Sequence, residues 1–297
     1  MSVYQEITAN KRRTFFIIFI FIFLVSGFFY LIGQYFQSPG SYFLIGLFFS
    51  LFSGIGSYFY SDKIVLFTLG AKPADKKKHF DFYTVTENLC LASGLPMPKL
   101  YVIEDPAPNA FATGRDPRHS VVCATTGLLR ILDRSDLEGV VAHELSHIKN
   151  YDVLLATVVS VLVGTISLVA DWIMRSLWWG GSERNNSDRS NRHPIFLAFF
   201  IVALIIMPVV ATLIQLALSR RREFLADASS VLLTRNPNGL ISALEKISSY
   251  PYPMRHATAS TAHLFIANPF KKKSSLFLNL FNTHPPVEER IKVLKQM

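Results

Sequence analysis

Hydrophobic and polar positions fall in blocks along this chain. Residues 14–36, "TFFIIFIFIFLVSGFFYLIGQYF", and residues 41–60 are two uncharged runs joined by the short turn "QSPG". Residues 153–174 and 195–218 form a second pair, joined by a polar stretch rich in Gly, Ser and Asn. Each run is long enough to cross a hydrocarbon core, which takes roughly 20 helical residues. The pattern therefore predicts four transmembrane helices in two hairpins. Buried core helices are the alternative for the second pair, and length and scarcity of charge argue against them. The first run is too long for a signal-peptide core and no small-residue cleavage site follows it, so it is read as an anchor.

Outside the runs the chain divides into a short segment, 1–13, and two larger pieces, 61–152 and 219–297. "DFYTVTENLCLASGLPMPKLYVIED" predicts a helix ended near Gly94, a Pro-bounded turn and a strand "KLYVIED". "NAFATG" and "HSVVCATTGLL" add short β-like runs, while the part after Arg220 is mostly helical in pattern. Each piece alone is small, and together they match one ordinary domain. The expected fold is a mainly α integral membrane protein with a small β-sheet and a discontinuous domain outside the bilayer.

Composition sharpens this picture. Half of the 297 residues are hydrophobic and only 17% are charged, with a mean hydropathy of +0.30. The net charge of +9 comes with no zinc-finger, RNA-binding or helix-turn-helix signature, so no nucleic-acid partner is expected. The basic residues flank the apolar blocks instead: Lys11, Arg12 and Arg13 before the first, Lys63, Lys72 and Lys76–Lys78 after the second, Arg220–Arg222 after the fourth. The positive-inside rule, with an even number of spans between them, places residues 1–13, 61–152 and 219–297 in the cytoplasm. Asp171 is the one ionisable residue inside any run, and a transporter would need midplane charges or broken helices. Cys90 and Cys123 lack disulfide-framework or metal-knuckle spacing and are expected to be buried hydrophobes.

The chemistry concentrates in "VVAHELSHIKNYD". Ser135, followed three residues later by Glu138, predicts a capping box that starts a helix. On that helix His143 and His147 lie one turn apart on one face, so both imidazoles can reach one ion. Glu144 sits about 100° further round, beside the ion and able to take the proton of an attacking water and hand it to a leaving amine. Two imidazoles with an open position suit Zn²⁺, one per subunit. A third ligand is needed, and the best candidate is Glu223 in "SRRREFLADASS", with Asp227 one turn on to support a ligand histidine. Residues 219–223 and 143–152 end up together because both ends of the second hairpin emerge on one side.

Five segments, "VVAHELSHIKNYD", "SRRREFLADA", "APNAFATGRDP", "TTGLL" and "NTHPPVEERI", occur in the order and approximate spacing of the HtpX-like membrane zinc metalloproteases. Relatives of that family include the CAAX prenyl endopeptidases and periplasmic chaperone-proteases. The resemblance implies a gluzincin-type protease fold with Zn²⁺ on His143, His147 and Glu223 and with Glu144 as base. It implies that His284 steadies the oxyanion, that Arg290 partners the metal-binding glutamate, and that Asp152 anchors the helix end behind the ligands. It also implies that the main chain of Asn109, Ala110, Phe111, Ala112, Thr113 and Gly114 pairs with substrate. The implied role is quality control of damaged, misfolded or unassembled membrane proteins in the bacterial inner membrane, cut on the cytoplasmic face. Tyr151 departs from the family, where arginine is common. The remaining histidines, His79, His119, His193, His256 and His263, are expected on the surface or in packing. A prenyl-protein processing enzyme or a non-enzymatic adaptor with a structural zinc are the competing readings. Four spans build no large chamber for the first, and the ligand set lacks the fourth protein donor for the second.

Overall fold

Two long helices form the anchor. The computed structural model describes residues 3–35, 37–179, 220–270 and 285–297. Helix α1 (Val3–Tyr35) starts well before the first apolar run and carries Lys11–Arg13 as part of the same rod. Helix α2 (Pro39–Thr68) returns alongside it. Small residues on α2, among them Gly46, Ser50, Gly54 and Ser57, are buried in this pairing. They let the backbones approach where larger side chains would hold them apart; a Cβ at Gly46 would stand 2.5 Å from Phe29 Cβ. The outward faces carry Phe15, Phe19, Phe23, Phe48 and Phe52, all exposed, as lipid contact requires. Both helices are long and apolar enough to cross a membrane.

The third apolar run forms helix α6 (Asp152–Trp179), and its first three turns are core. Leu155, Val158, Val159 and Leu162 are fully buried and pack with Ile17 and Phe21 of α1. An apolar stripe wrapped round a helix does not tell lipid neighbours from protein neighbours, so the run's length alone left this open. The loop 180–194 and the fourth run, 195–218, lie outside the described residues.

Between the anchor and the ligand-bearing helices sits a mixed sheet ordered β1-β2-β4-β3. Its strands are β1 (Lys72–Pro73), β2 (Lys99–Ile103), β3 (Ala110–Asp116) and β4 (His119–Thr125). β2 and β4 run parallel; β3 runs antiparallel to β4 and forms the edge. Side chains alternate between two buried faces. Leu100, Val102, Ala110, Ala112, Val122 and Ala124 join the cluster around α5 (Arg134–Lys149). Ile103, Phe111, Val121 and Cys123 point the other way, onto Val65, Leu66 and Leu69 near the end of α2 and Val161 of α6. The sheet thus transmits the position of the anchor to the helix that carries the histidines. A bulge at Gly114 ends the regular pairing. Its φ of +133° and a hypothetical Cβ only 2.2 Å from His119 O leave no other residue room there.

The helix between β1 and β2 follows the expected pattern. Helix α3 (Phe80–Ser93) ends at Gly94 in the left-handed region, as the sequence predicts. α4 (Thr126–Ile131) is capped by Thr125. The start of α5 needs correction: its N-cap is Asp133, and the capping box pairs Asp133 with Asp136, two residues upstream of the predicted Ser135 and Glu138. Aspartate serves as well as serine at a cap and also favours the positive helix end. Both options follow the same three-residue spacing, so the spacing alone could not choose between them.

Helices α7 (Arg220–Thr234) and α8 (Pro237–Ser249) pack against α5, and α9 (Val287–Leu294) closes the group. Gly139 of α5 and Gly239 of α8 make a close backbone crossing. A Cβ at Gly139 would lie 2.6 Å from Leu240 N, and one at Gly239 would lie 2.5 Å from Ser135 O. Gly139→Ala is therefore expected to destabilise the protein by about 1–3 kcal/mol through overpacking, lowering the thermal unfolding midpoint in detergent by several degrees. An unchanged midpoint would show that the two helices can slide apart without cost.

Candidate metal centre

α5 places His143 and His147 one turn apart, and their Nε2 atoms lie 3.2 Å from each other. Glu223, in the first turn of α7, reaches the same point: Oε1 is 3.5 Å from His147 Nε2 and Oε2 is 3.8 Å from His143 Nε2. One potential ligand atom from each of the three lies within 4.8 Å of the others. Donor atoms bound tetrahedrally at about 2.0–2.1 Å lie roughly 3.3–3.4 Å apart, so these residues fit a zinc-sized cation. Glu144 is buried next to His143 and lines the same cleft.

The other ring nitrogens are held from behind. His143 Nδ1 lies 2.9 Å from Asp227 Oδ1, and His147 Nδ1 lies 3.1 Å from Asp152 Oδ2. These bonds place the Nδ1–H on each ring and leave Nε2 as the lone-pair donor facing the shared point. Arg290 is fully buried and donates from Nε and Nη2 to Asp227 at 2.9 and 2.6 Å, and from Nη1 to Ile266 O at 3.0 Å. Its distance to Glu223 Oε2 is longer, 3.8 Å. The pairing with Glu223 that the resemblance implies is therefore present, while the shorter contacts go to Asp227 behind His143.

Electrostatics distinguish the two imidazoles. Burial, joined by the Arg290 charge, pushes His143 well below its ordinary pKa against the pull of Asp227. Burial also acts downward on His147, but Asp152, Glu223 and Glu144 outweigh it and raise its pKa. Burial would raise Asp227, yet the Arg290 guanidinium and the His143 hydrogen bond hold it below the usual carboxylate range. Asp152, Glu223 and Glu144 thus make the surroundings of His147 favourable to positive charge, as a bound cation would require.

The cleft in front of the centre has an empty volume of about 490 Å³ and is lined by Ala112 on one side and Leu264–Ile266 on the other. Ala110 O accepts from Ile266 N at 2.9 Å, while Asn109 O accepts from Thr125 N on the opposite edge of the strand. Period two then turns the N–H and C=O of Ala112 outward, as at Ala110. Phe111 packs edge-on against Phe265, and Thr113 Oγ1 lies 3.0 Å from Thr157 Oγ1 of α6. The Asn109 side chain is engaged by the protein itself: Nδ2 donates to Ala267 O at 2.9 Å and Oδ1 accepts from Ala267 N at 3.3 Å. Gly114 turns the strand away at the far end.

His284 lies outside the described residues. His263, expected on the surface or in packing, is buried and lines the cleft, with Nε2 3.0 Å from Ala156 O. Two further residues escaped the sequence reading, Arg222 and Asn10, both buried beside Asp152. Arg222 sat inside a basic run that looked like a membrane flank. Asn10 is a single polar letter ahead of an apolar block and offers no motif.

Residues 77–297 match the model of peptidase family M48. The chain belongs to that family. As an M48 peptidase it is a metalloendopeptidase, and with its two long apolar helices it is a membrane-bound one. Similarity to individual relatives extends over the whole chain. A protein named Protease HtpX homolog from Caldanaerobacter subterraneus subsp. tengcongensis is 46% identical, covering 100% of this chain and 98% of that protein. Another of that name, from Streptococcus gordonii, is 41% identical over 99% of this chain and 100% of its own length. Among solved structures, the crystal structure of S. mikatae Ste24p superimposes with a TM-score of 0.48 at 17% identity. That match covers 91% of this M48 chain and 61% of the longer Ste24p chain.

Removing the third donor tests the centre directly. Glu223→Ala is expected to cost at least tenfold in metal affinity, measured as metal retained by the purified protein after dialysis against a weak chelator. Metal content equal to the parent's would mean that Glu223 is not a ligand.

Proposed function

We propose that this chain is a zinc endopeptidase of the bacterial inner membrane that cuts damaged, misfolded or unassembled proteins on the cytoplasmic face. The observation that carries this reading is the convergence of His143, His147 and Glu223 on one point, with Glu144 buried beside them on the same cleft. The donor set, two imidazoles and one carboxylate, is that of catalytic zinc sites that keep a position open for substrate. When bound there, zinc supplies Lewis acidity toward a carbonyl oxygen and makes a water proton easier to remove.

The protein's own groups supply the rest. Glu144 is the base: its carboxylate takes the proton of the attacking water and passes it to the departing amine nitrogen. Asp227 and Asp152 fix the rings of His143 and His147 through their Nδ1 atoms, so both Nε2 atoms stay aimed as ligands. The outward N–H and C=O at Ala112 pair with an extended substrate backbone, which adds a strand to the edge of the sheet. Recognition through main-chain atoms reads extension and not side-chain identity, and this favours unfolded polypeptide. His284 is the proposed donor to the oxyanion, a role for which a positioned hydrogen-bond donor is apt. Its support is sequence position, six residues ahead of Arg290, which lies behind the metal ligands.

The proposed layout has four spans, 14–36, 41–60, 153–174 and 195–218, and a protease domain assembled from 61–152 and 219–297. Lysine and arginine flanking the apolar runs support cytoplasmic termini.

Glu144→Gln is expected to keep zinc but to lower casein cleavage by at least a thousandfold; substantial residual turnover would remove Glu144 from the role of base. A reporter enzyme fused after Met297 is expected to show cytoplasmic activity. A periplasmic signal from that fusion would reverse the orientation.

A further inference from the structure

Asp152 has two carboxylate oxygens with separate duties. Oδ2 meets His147 Nδ1 at 3.1 Å. Oδ1 accepts from Asn10 Nδ2 at 2.8 Å and from Arg222 Nη1 at 3.3 Å. Asn10 is fully buried on α1, four residues ahead of Thr14, whose hydroxyl donates back to Asn10 O at 2.9 Å. Every polar atom of the Asn10 amide is engaged on the same corner of the fold. Nδ2 also donates to Asn150 O at 3.1 Å, and Oδ1 accepts from Arg222 Nη1 at 3.4 Å. Asn150 caps α5, and the chain then bends by 83° into α6 through Tyr151, whose φ of 60° is unusual for a tyrosine. Lys11 stacks over the Tyr151 ring at 4.2 Å. The cytoplasmic end of the first membrane helix is thus bound to the corner that carries the supporting carboxylate of a metal ligand.

We propose that Asn10 is a positioning residue for the metal centre: by fixing the Asp152 carboxylate it orients the His147 ring, and so links the seating of α1 to metal affinity. The inference rests on the zinc-endopeptidase reading and adds to it a residue 133 positions from His143 in sequence (143 minus 10) that contacts neither metal nor substrate. Three groups converge on Asp152: His147, Asn10 and Arg222. Arg222 Nη1 is shared between Asp152 Oδ1 and Asn10 Oδ1. Removing the amide therefore frees the carboxylate to swing toward the guanidinium and away from the imidazole. Groups behind a ligand commonly change metal affinity by about 10–100-fold when removed; one contact further out, a smaller effect is expected.

The test uses the full chain in detergent, stripped of metal and titrated with zinc against a competing chromogenic chelator. Asn10→Ala and the near-isosteric Asn10→Leu are expected to weaken zinc binding about three- to tenfold, and Asp152→Ala about 10–100-fold. The double variant Asn10→Ala/Asp152→Ala should bind no more weakly than Asp152→Ala alone, because both act through one carboxylate. Cobalt-loaded Asn10→Ala should show altered ligand-field absorption. Its casein kcat should recover with excess zinc, with KM unchanged. Thr14→Val, which perturbs the same buried turn without touching Asp152, should keep parental zinc affinity. Parental affinity in both Asn10 variants, or additive losses in the double variant, would overturn the proposal alone. Failure of both Asn10 variants to fold while Thr14→Val folds would also overturn it, in favour of a purely structural role. A parent protein that takes up no zinc would overturn this proposal and the underlying reading together.

Discussion

A buried guanidinium holds the centre of this structure together. Arg290 is fully buried, and a charge in that setting is strongly unfavourable unless its donors are satisfied. Its partners are Asp227 on α7 and the carbonyl of Ile266, and Asp227 in turn meets His143 on α5. One side chain near the end of the chain thereby fixes three elements at once: the helix bearing the carboxylate ligand, the helix bearing the imidazoles and the segment that walls the cleft. Breaking such a pair leaves an uncompensated buried charge, which typically costs about 3–5 kcal/mol. The three candidate ligands, His143, His147 and Glu223, are thereby held close together by contacts within the protein.

A second chain of contacts runs toward the membrane. The sheet lies between α5 on one face and the ends of α2 and α6 on the other, and α6 is packed on α1. Asn10, Arg222 and Asp152 join the same partners in hydrogen bonds. The two His-supporting carboxylates are thus themselves supported from different directions, Asp227 from the C-terminal helix and Asp152 from the N-terminal one. Ligand geometry is shared between the parts of the molecule that are furthest apart in sequence.

Much of this was legible in the sequence, for identifiable reasons. Helix termini with strong chemistry, such as Gly94, and strands with alternating apolar residues, such as 119–125, announce themselves locally. The histidine pair and Glu144 are visible because metal binding imposes helical spacing on scarce residue types. Glu223 and Asp227 were reachable only once a third ligand was demanded. Arg290's second and closer partner was not legible: a carboxylate pair one turn apart offers two acceptors, and packing brings Asp227 nearer than Glu223. The cap at Asp133 was missed because two overlapping three-residue patterns compete. Asn10 and Arg222 gave no signal, since their meaning comes entirely from residues more than sixty positions away. The first three turns of α6 show the same limit in another form, because burial against protein and burial in lipid ask for the same side chains.

The seating of Ile266 on Ala110 has one more consequence. An uncovered sheet edge is a template for unwanted pairing between molecules. Here the protein's own backbone plugs one end of β3 and the Gly114 bulge twists off the other. Among the described residues, what is left open is a notch a few residues long around Ala112. A short opening of this kind can pair with one extended segment without offering an edge along which further chains stack.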